Sequence, residues 1–174
     1  MKYHPEIHNR HSIRLKDYDY TQEGAYFVTV CSYGRECLFG EVINEEMQPN
    51  QFGQIVVDSW LWLAKHYPYV ALDAWVVMPN HFHGIMVIGE NDEGGSRTAP
   101  TKIKSLGRLI GAFKTVSTKQ INLIRQTPSL TLWQRNYYER IIRNESELNR
   151  IREYIEANPA KWASDKENPA NRLG

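Results

Sequence analysis

The chain alternates between short runs of β-branched and aromatic residues and longer stretches in which apolar residues return every three or four positions. Residues 24–32, GAYFVTVCS, and 37–43, CLFGEVI, read as strands either side of a turn at Tyr33-Gly34-Arg35, and together they predict a hairpin. In NQFGQIVVDSWLWLAKHYP, Asn50 stands where a helix needs a cap. Phe52, Ile55, Val56, Ser59, Leu63 and Tyr67 then share one face, and Pro68 ends the helix. VALDAWVVM and HFHGIMVIG read as two more strands joined tightly through Pro79-Asn80. Residues 90–103 mix Gly, Ser, Pro and charge without a period, so a flexible loop is expected there. A second helix is expected from Lys104 to about Arg125, with Leu106, Leu109, Ile110, Phe113, Val116 and Ile124 inward. After TPSL, the segment LWQRNYYERIIR holds a short strand or turn. Asn144 and Glu147 have capping-box spacing at the start of a third helix, which Asn158-Pro159 ends.

The order β-β-α-β-β-α-(β)-α suggests an α+β sandwich, an antiparallel sheet with helices on one side. With 174 residues the chain can bury one sizeable core, and a single domain is expected over 1–163. A basic arm occupies 1–20, and 164–174 reads as a disordered tail. No apolar run approaches the ~20 residues needed to cross a membrane. The N-terminus lacks an apolar signal core, so a cytoplasmic protein with no membrane partner is expected. The two cysteines, Cys31 and Cys37, mark no disulfide framework or zinc finger and read as reduced thiols.

Charge changes the picture. The formal net charge of +1 conceals 7 Lys/Arg against 13 Asp/Glu in residues 1–100, and 12 against 5 in residues 101–163. A basic half is the footprint of an anionic partner such as nucleic acid, or of solvated helix faces. Lys104, Arg108, Lys114 and Lys119 are candidates for phosphate contacts, and Arg10, Arg14 and Lys16 for an arm that reads flanking bases.

The stretch WVVMPNHFHGIMVI holds the candidate chemistry. Side chains alternate along a strand, so His81, His83, Ile85 and Val87 share a face while Phe82, Gly84, Met86 and Ile88 take the other. Imidazoles two residues apart stand about 6.5–7 Å apart along the strand and can lean onto one cation. Buried among apolar neighbours, their nitrogens need partners: a metal, backbone carbonyls or water. Two ligands make a poor site. A third is available on the last helix, where Tyr154 and Asn158 lie at i and i+4 beside the stripe of Leu148, Ile151 and Ile155. Asn158 offers a carbonyl oxygen suited to Mg²⁺ or Mn²⁺, and Tyr154 a phenol oxygen nearby. Taken singly, a core-edge tyrosine and a helix-capping asparagine account for both.

The combination is more specific. His81-Phe82-His83 on a strand, Tyr154-x-x-x-Asn158 on a later helix, and the segments AWVVMPNHFHGI, WQRNYYERIIRN and YIEANPAKW resemble the single-tyrosine HUH transposases of bacterial insertion sequences. Within them the chain is most similar to the REP-associated tyrosine transposases, over roughly residues 12–163. The resemblance implies a ferredoxin-like or RRM-like sandwich with the histidines on a central strand. It implies single-stranded DNA with imperfect hairpins as partner, and His81, His83 and Asn158 as ligands of one Mg²⁺ or Mn²⁺. It makes Tyr154 the nucleophile of a cleavage and rejoining reaction through a 5′-phosphotyrosine. Asn in place of Gln as third ligand fits the REP-associated branch. Neutral imidazoles also suit Zn²⁺, Ni²⁺ or Cu²⁺, so the metal is not fixed by these residues. The likeness favours a monomer, with a homodimer as the alternative.

Tyr137 and Tyr138 are rival nucleophiles that lack a ligand partner at i+4 and read as packing or base-stacking residues. A non-cleaving protein that recognises a DNA hairpin is the competing function. An RNA-binding sandwich ranks lower, because its basic-Gly-aromatic signature is absent.

Overall fold

The computed structural model describes residues 23–89 and 102–172. Arg10, Arg14, Lys16 and the rest of the basic arm lie outside the described residues, as do residues 90–101 of the loop expected over 90–103. The architecture is the expected α+β sandwich. Strands β1 (Gly24–Cys31), β4 (Val70–Met78), β5 (His81–Ile88) and β6 (Tyr138–Ile142) form one antiparallel sheet in the order β4-β5-β1-β6. Helix α1 (Gln51–His66) connects β1 to β4, and α2 (Leu106–Ile124) connects β5 to β6. The β-α-β-β-α-β order with that strand arrangement is a ferredoxin-like sandwich.

The expected hairpin between 24–32 and 37–43 does not form. Both edges of β1 are occupied, by β5 and β6, so no edge remains for a third partner. Strand β2 (Gly40–Ile43) pairs instead with β3 (Glu46–Pro49) in a separate small ribbon. Its turn residues, Asn44 and Glu45, both take positive φ, as a two-residue hairpin turn requires. Asn50 caps α1 as expected, its Oδ1 accepting from Phe52 N at 2.9 Å and Gly53 N at 3.0 Å.

The sheet is covered on both faces, not one. Tyr26, Val28, Val30, Phe82, Met86 and Ile88 point to α1 and α2 and form the main core with Trp60, Leu63, Leu109 and Phe113. Phe27, Ile85 and Ile142 point the other way and pack under Ile151 and Ile155 of α3 (Glu145–Glu156). The central strands are apolar on alternate and intervening positions alike, so each face needs a cover. The second cover is the helix that carries Tyr154. Along α2 the inward stripe runs to Ile121, leaving Ile124, expected inside, exposed.

Gly84 belongs to the main-core face, and its missing side chain makes room for a helix. A Cβ there would stand 2.7 Å from the Trp60 ring and 2.8 Å from Phe82, and both rings are fully buried. Restricting the unfolded chain would favour Gly84→Ala by at most about 1 kcal/mol. Overpacking costs about 1–3 kcal/mol, so the variant should be destabilised. Urea denaturation checks it; an unchanged midpoint would show that Trp60 can yield.

Residues 164–172 are not the disordered tail that their composition suggests. Asp165 Oδ1 accepts from Glu167 N (2.8 Å), and Asn171 Nδ2 donates to Ala163 O (2.9 Å) and Asp165 O (2.8 Å). Such local side-chain-to-backbone bonds order a segment without any hydrophobic period. Glu167 pairs with Arg35 and Arg172, which ties the segment to the end of β1.

Candidate active site

Strand β5 sets His81 and His83 on the α3 face of the sheet, both buried. Their rings lean together to 4.6 Å between centroids. Each has its Nδ1 engaged: His81 with Asn80 Oδ1 and His83 with Thr29 Oγ1, both at 2.8 Å. Thr29 is the cross-strand neighbour of His83 on β1. Phe27, two residues before it on the same face, stacks on the His83 ring at 5.5 Å.

Helix α3 brings the other two groups. Asn144 Oδ1 accepts from Glu147 N (2.8 Å), and Glu147 reaches back to Arg143 N (3.0 Å), a capping box displaced by one residue. Arg152 grips Asp73 of β4 with two bonds, of 2.7 and 2.6 Å, holding the helix across the sheet. Tyr154 packs edge-on to Phe27 (6.0 Å) and to His83 (5.3 Å) while its side chain stays 44% exposed. Asn158 opens the short helix α4 (Asn158–Lys161) and is buried. Its Nδ2 donates to Tyr154 O at 3.3 Å, so it does cap the turn, and this leaves its Oδ1 for another use.

Arg152 also predicts a pH dependence. Its guanidinium holds the Asp73 carboxyl below the usual aspartate range. That contribution to stability is present above the unfolded aspartate value and is lost as pH falls through the lower folded one. In Asp73→Asn the hydrogen-exchange protection of residues 151–157 should fall at neutral pH and lose its acid sensitivity. Equal protection in both proteins would deny the clamp a role.

His81 Nε2 and Asn158 Oδ1 are both buried and both lack a hydrogen-bond partner. Orphaned acceptors are unfavourable and call for a donor or a cation. A proton on His81 would serve, since the Asn158 side chain is close enough to support it. Burial, however, pulls His81 down to about 4 and His83 well below its ordinary value, so both are neutral at pH 7. A divalent cation fits this set: neutral imidazole nitrogens whose other nitrogen is already bonded, with a carboxamide oxygen. Among the described residues no three His, Cys, Asp or Glu side chains are placed to hold a metal ion.

A groove of about 590 Å³ opens over His83 and Tyr154, with Phe27, Thr29 and Tyr138 along its length, while His81 and Asn158 lie outside its lining. Arg35 and residues 165–167 form part of its wall. Tyr138, the rival, approaches Phe27 edge-on at 6.2 Å and is 39% exposed, but sits on β6. Tyr137 packs against the main core and under Lys114.

The basic candidates scatter. Lys114 Nζ donates to the carbonyls of Gln134 (2.7 Å), Arg135 (3.2 Å) and Asn136 (3.2 Å), so its three protons are spent on a loop. Burial brings it down to about 8. Lys104 precedes α2 and bonds Tyr67 OH at 3.2 Å. Arg108 and Lys119 are exposed on α2. Asn80, Thr29 and Phe27 support the site yet carry no sequence signal of their own, beyond the adjacency of Asn80 to His81.

No family model matches the chain. It is 40% identical over 175 residues, 95% of this chain and 96% of the other, to an uncharacterized protein of Haemophilus influenzae. It is 28% identical over 146 residues, 82% of this chain and 74% of the other, to a second protein of that organism, named "Putative REP-associated tyrosine transposase". The fold matches a solved structure of a REP-associated tyrosine transposase bound to a REP hairpin, with a TM-score of 0.60 and 22% identity over 85% of this chain and 74% of that one. In this fold the chain lays a tyrosine and an asparagine one helical turn apart over paired strand histidines, and in sequence and fold it is similar to REP-associated tyrosine transposases.

Proposed function

We propose that the protein cleaves and rejoins single-stranded DNA beside imperfect hairpins, through a 5′-phosphotyrosine formed on Tyr154. The observation that carries this reading is the meeting of an accessible tyrosine with three buried donor groups, two of whose atoms have no hydrogen-bond partner. His81, His83 and Asn158 would hold the cation, Mg²⁺ or Mn²⁺. Bound there, it would withdraw charge from a non-bridging oxygen of the scissile phosphate and orient it. Tyr154 attacks phosphorus in line, and the 3′-oxygen of the upstream nucleotide leaves. The phosphodiester's energy is kept in the covalent link, so a DNA 3′-OH can later displace the tyrosine and rejoin the strand. A free phenol has a pKa of about 10, so its deprotonation needs assistance at the site.

The groove beside Tyr154 gives a strand access from one side, and the basic charge of 101–163 suits its phosphates. The packing of α3 on the sheet of its own chain supports a site drawn from one copy. A monomer is the expected active form, with a homodimer as the alternative. No helix among the described residues is long and apolar enough to cross a membrane.

The test uses a panel of hairpin-bearing oligonucleotides labelled 3′ of the cut sites, run on denaturing gels with Mn²⁺, Mg²⁺ or a chelator. The expected product is a labelled protein–DNA band that needs the metal. Tight binding with neither cleavage nor adduct on any hairpin would favour the non-cleaving hairpin-binding protein instead.

A further inference from the structure

We propose that Asn80 is a positioning residue that fixes the proton of neutral His81 on Nδ1 and so reserves the Nε2 lone pair for the cation. The cation itself rests on the function proposed above; the proton's location does not. Asn80 is buried in the tight turn between β4 and β5. Its Nδ2 donates to two main-chain carbonyls, Arg35 O at 3.0 Å and Glu167 O at 2.8 Å. Turning the carboxamide over would lose both bonds and set oxygen against oxygen at each. The amide is therefore held one way round, with Oδ1 toward His81 Nδ1 at 2.8 Å.

An amide oxygen only accepts, so the ring nitrogen facing it must carry the hydrogen. In the other tautomer two lone pairs would confront each other at that distance. The far nitrogen is left bare, which agrees with His81 Nε2 having no hydrogen-bond partner in the interior. Nothing comparable constrains His83. Its neighbour is the Thr29 hydroxyl, which can donate or accept and so permits either tautomer. The relay also gives 165–172 a purpose: through Glu167 O it supplies one of the two acceptors that orient Asn80.

The test is ¹⁵N imidazole NMR of cation-free protein at neutral pH. His81 should be almost wholly the Nδ1–H form in the wild type. In Asn80→Ala it should become a mixture. In Asn80→Asp it should stay Nδ1–H, because a carboxylate also only accepts, although the contacts to Arg35 O and Glu167 O are both lost. A wild-type His81 carrying its proton on Nε2 overturns the proposal without any variant having to fold. So does an Asn80→Ala protein with an unchanged tautomer. Calorimetric Mn²⁺ titration gives an independent readout, with about 10–100-fold weaker binding expected in Asn80→Ala. If the wild type takes up no cation while the tautomer is as stated, the metal reading fails and the role of Asn80 in fixing the ring stands.

Discussion

Replacing Tyr154 by phenylalanine should remove the covalent protein–DNA adduct altogether and leave hairpin binding and thermal stability nearly unchanged. The reason is geometric. The Tyr154 ring is held edge-on by Phe27 and His83, contacts that a phenylalanine ring makes equally well. Its side chain is 44% exposed, so losing the hydroxyl opens no cavity. What disappears is the atom that would attack phosphorus, and no other group on α3 can replace it. A loss of at least about 10³-fold in adduct is expected, the scale on which removal of a catalytic nucleophile is felt. Gel quantitation beside a melting curve measures both halves. Full activity in the variant would move the chemistry to Tyr138, which borders the same groove.

The second large effect concerns the buried donors. His81→Ala should lower Mn²⁺ affinity by about 100-fold or more, since two remaining ligands make a weak site, and cleavage should fall with it. Asn158→Ala should act in the same direction and also uncap the turn at Tyr154 O. Protons compete with the cation only when the imidazoles accept them. With burial holding His81 down to about 4 and His83 well below its ordinary value, cation binding should persist to about pH 5 and then collapse. Folding stability follows the same shift. The folded value lies below the ordinary 6.5, so the unfolded chain binds more protons between 6.5 and about 4, and stability falls as pH drops through that window. Calorimetry across pH 4–8 checks both. A binding curve that breaks near 6.5 would mean the imidazoles are solvated.

Much of this site was legible before the fold was known. The period of two places His81 and His83 together, and the step of four places Tyr154 with Asn158. The pairing of strands was not, because it depends on which edges remain free. The segments around 24–32 and 37–43 look like a hairpin until β5 and β6 take both sides of β1. The one-sided layering failed for a related reason: it overlooks that Phe27 and Ile85 make the second face of the sheet apolar as well. Lys114 reads as a phosphate contact by charge alone, but a loop far along the chain offers its carbonyls. The segment 164–172 has no period to read. Its order comes from Asp and Asn side chains bonding nearby backbone, and from Glu167 meeting two arginines. Asn80 shows the general limit, since its role follows from two carbonyls contributed by Arg35 and Glu167.

Peptide mapping shows whether Tyr154 becomes joined to DNA. The protein is incubated with Mn²⁺ and a cleavable hairpin oligonucleotide, then digested with trypsin and a nuclease and read by mass spectrometry. Trypsin separates the candidates, with Tyr154 in the peptide 153–161 and Tyr137 and Tyr138 in 136–140. A nucleotide 5′-phosphate on Tyr154 is expected. A nucleotide on the 136–140 peptide, or strand cleavage that leaves every peptide unmodified, would contradict it.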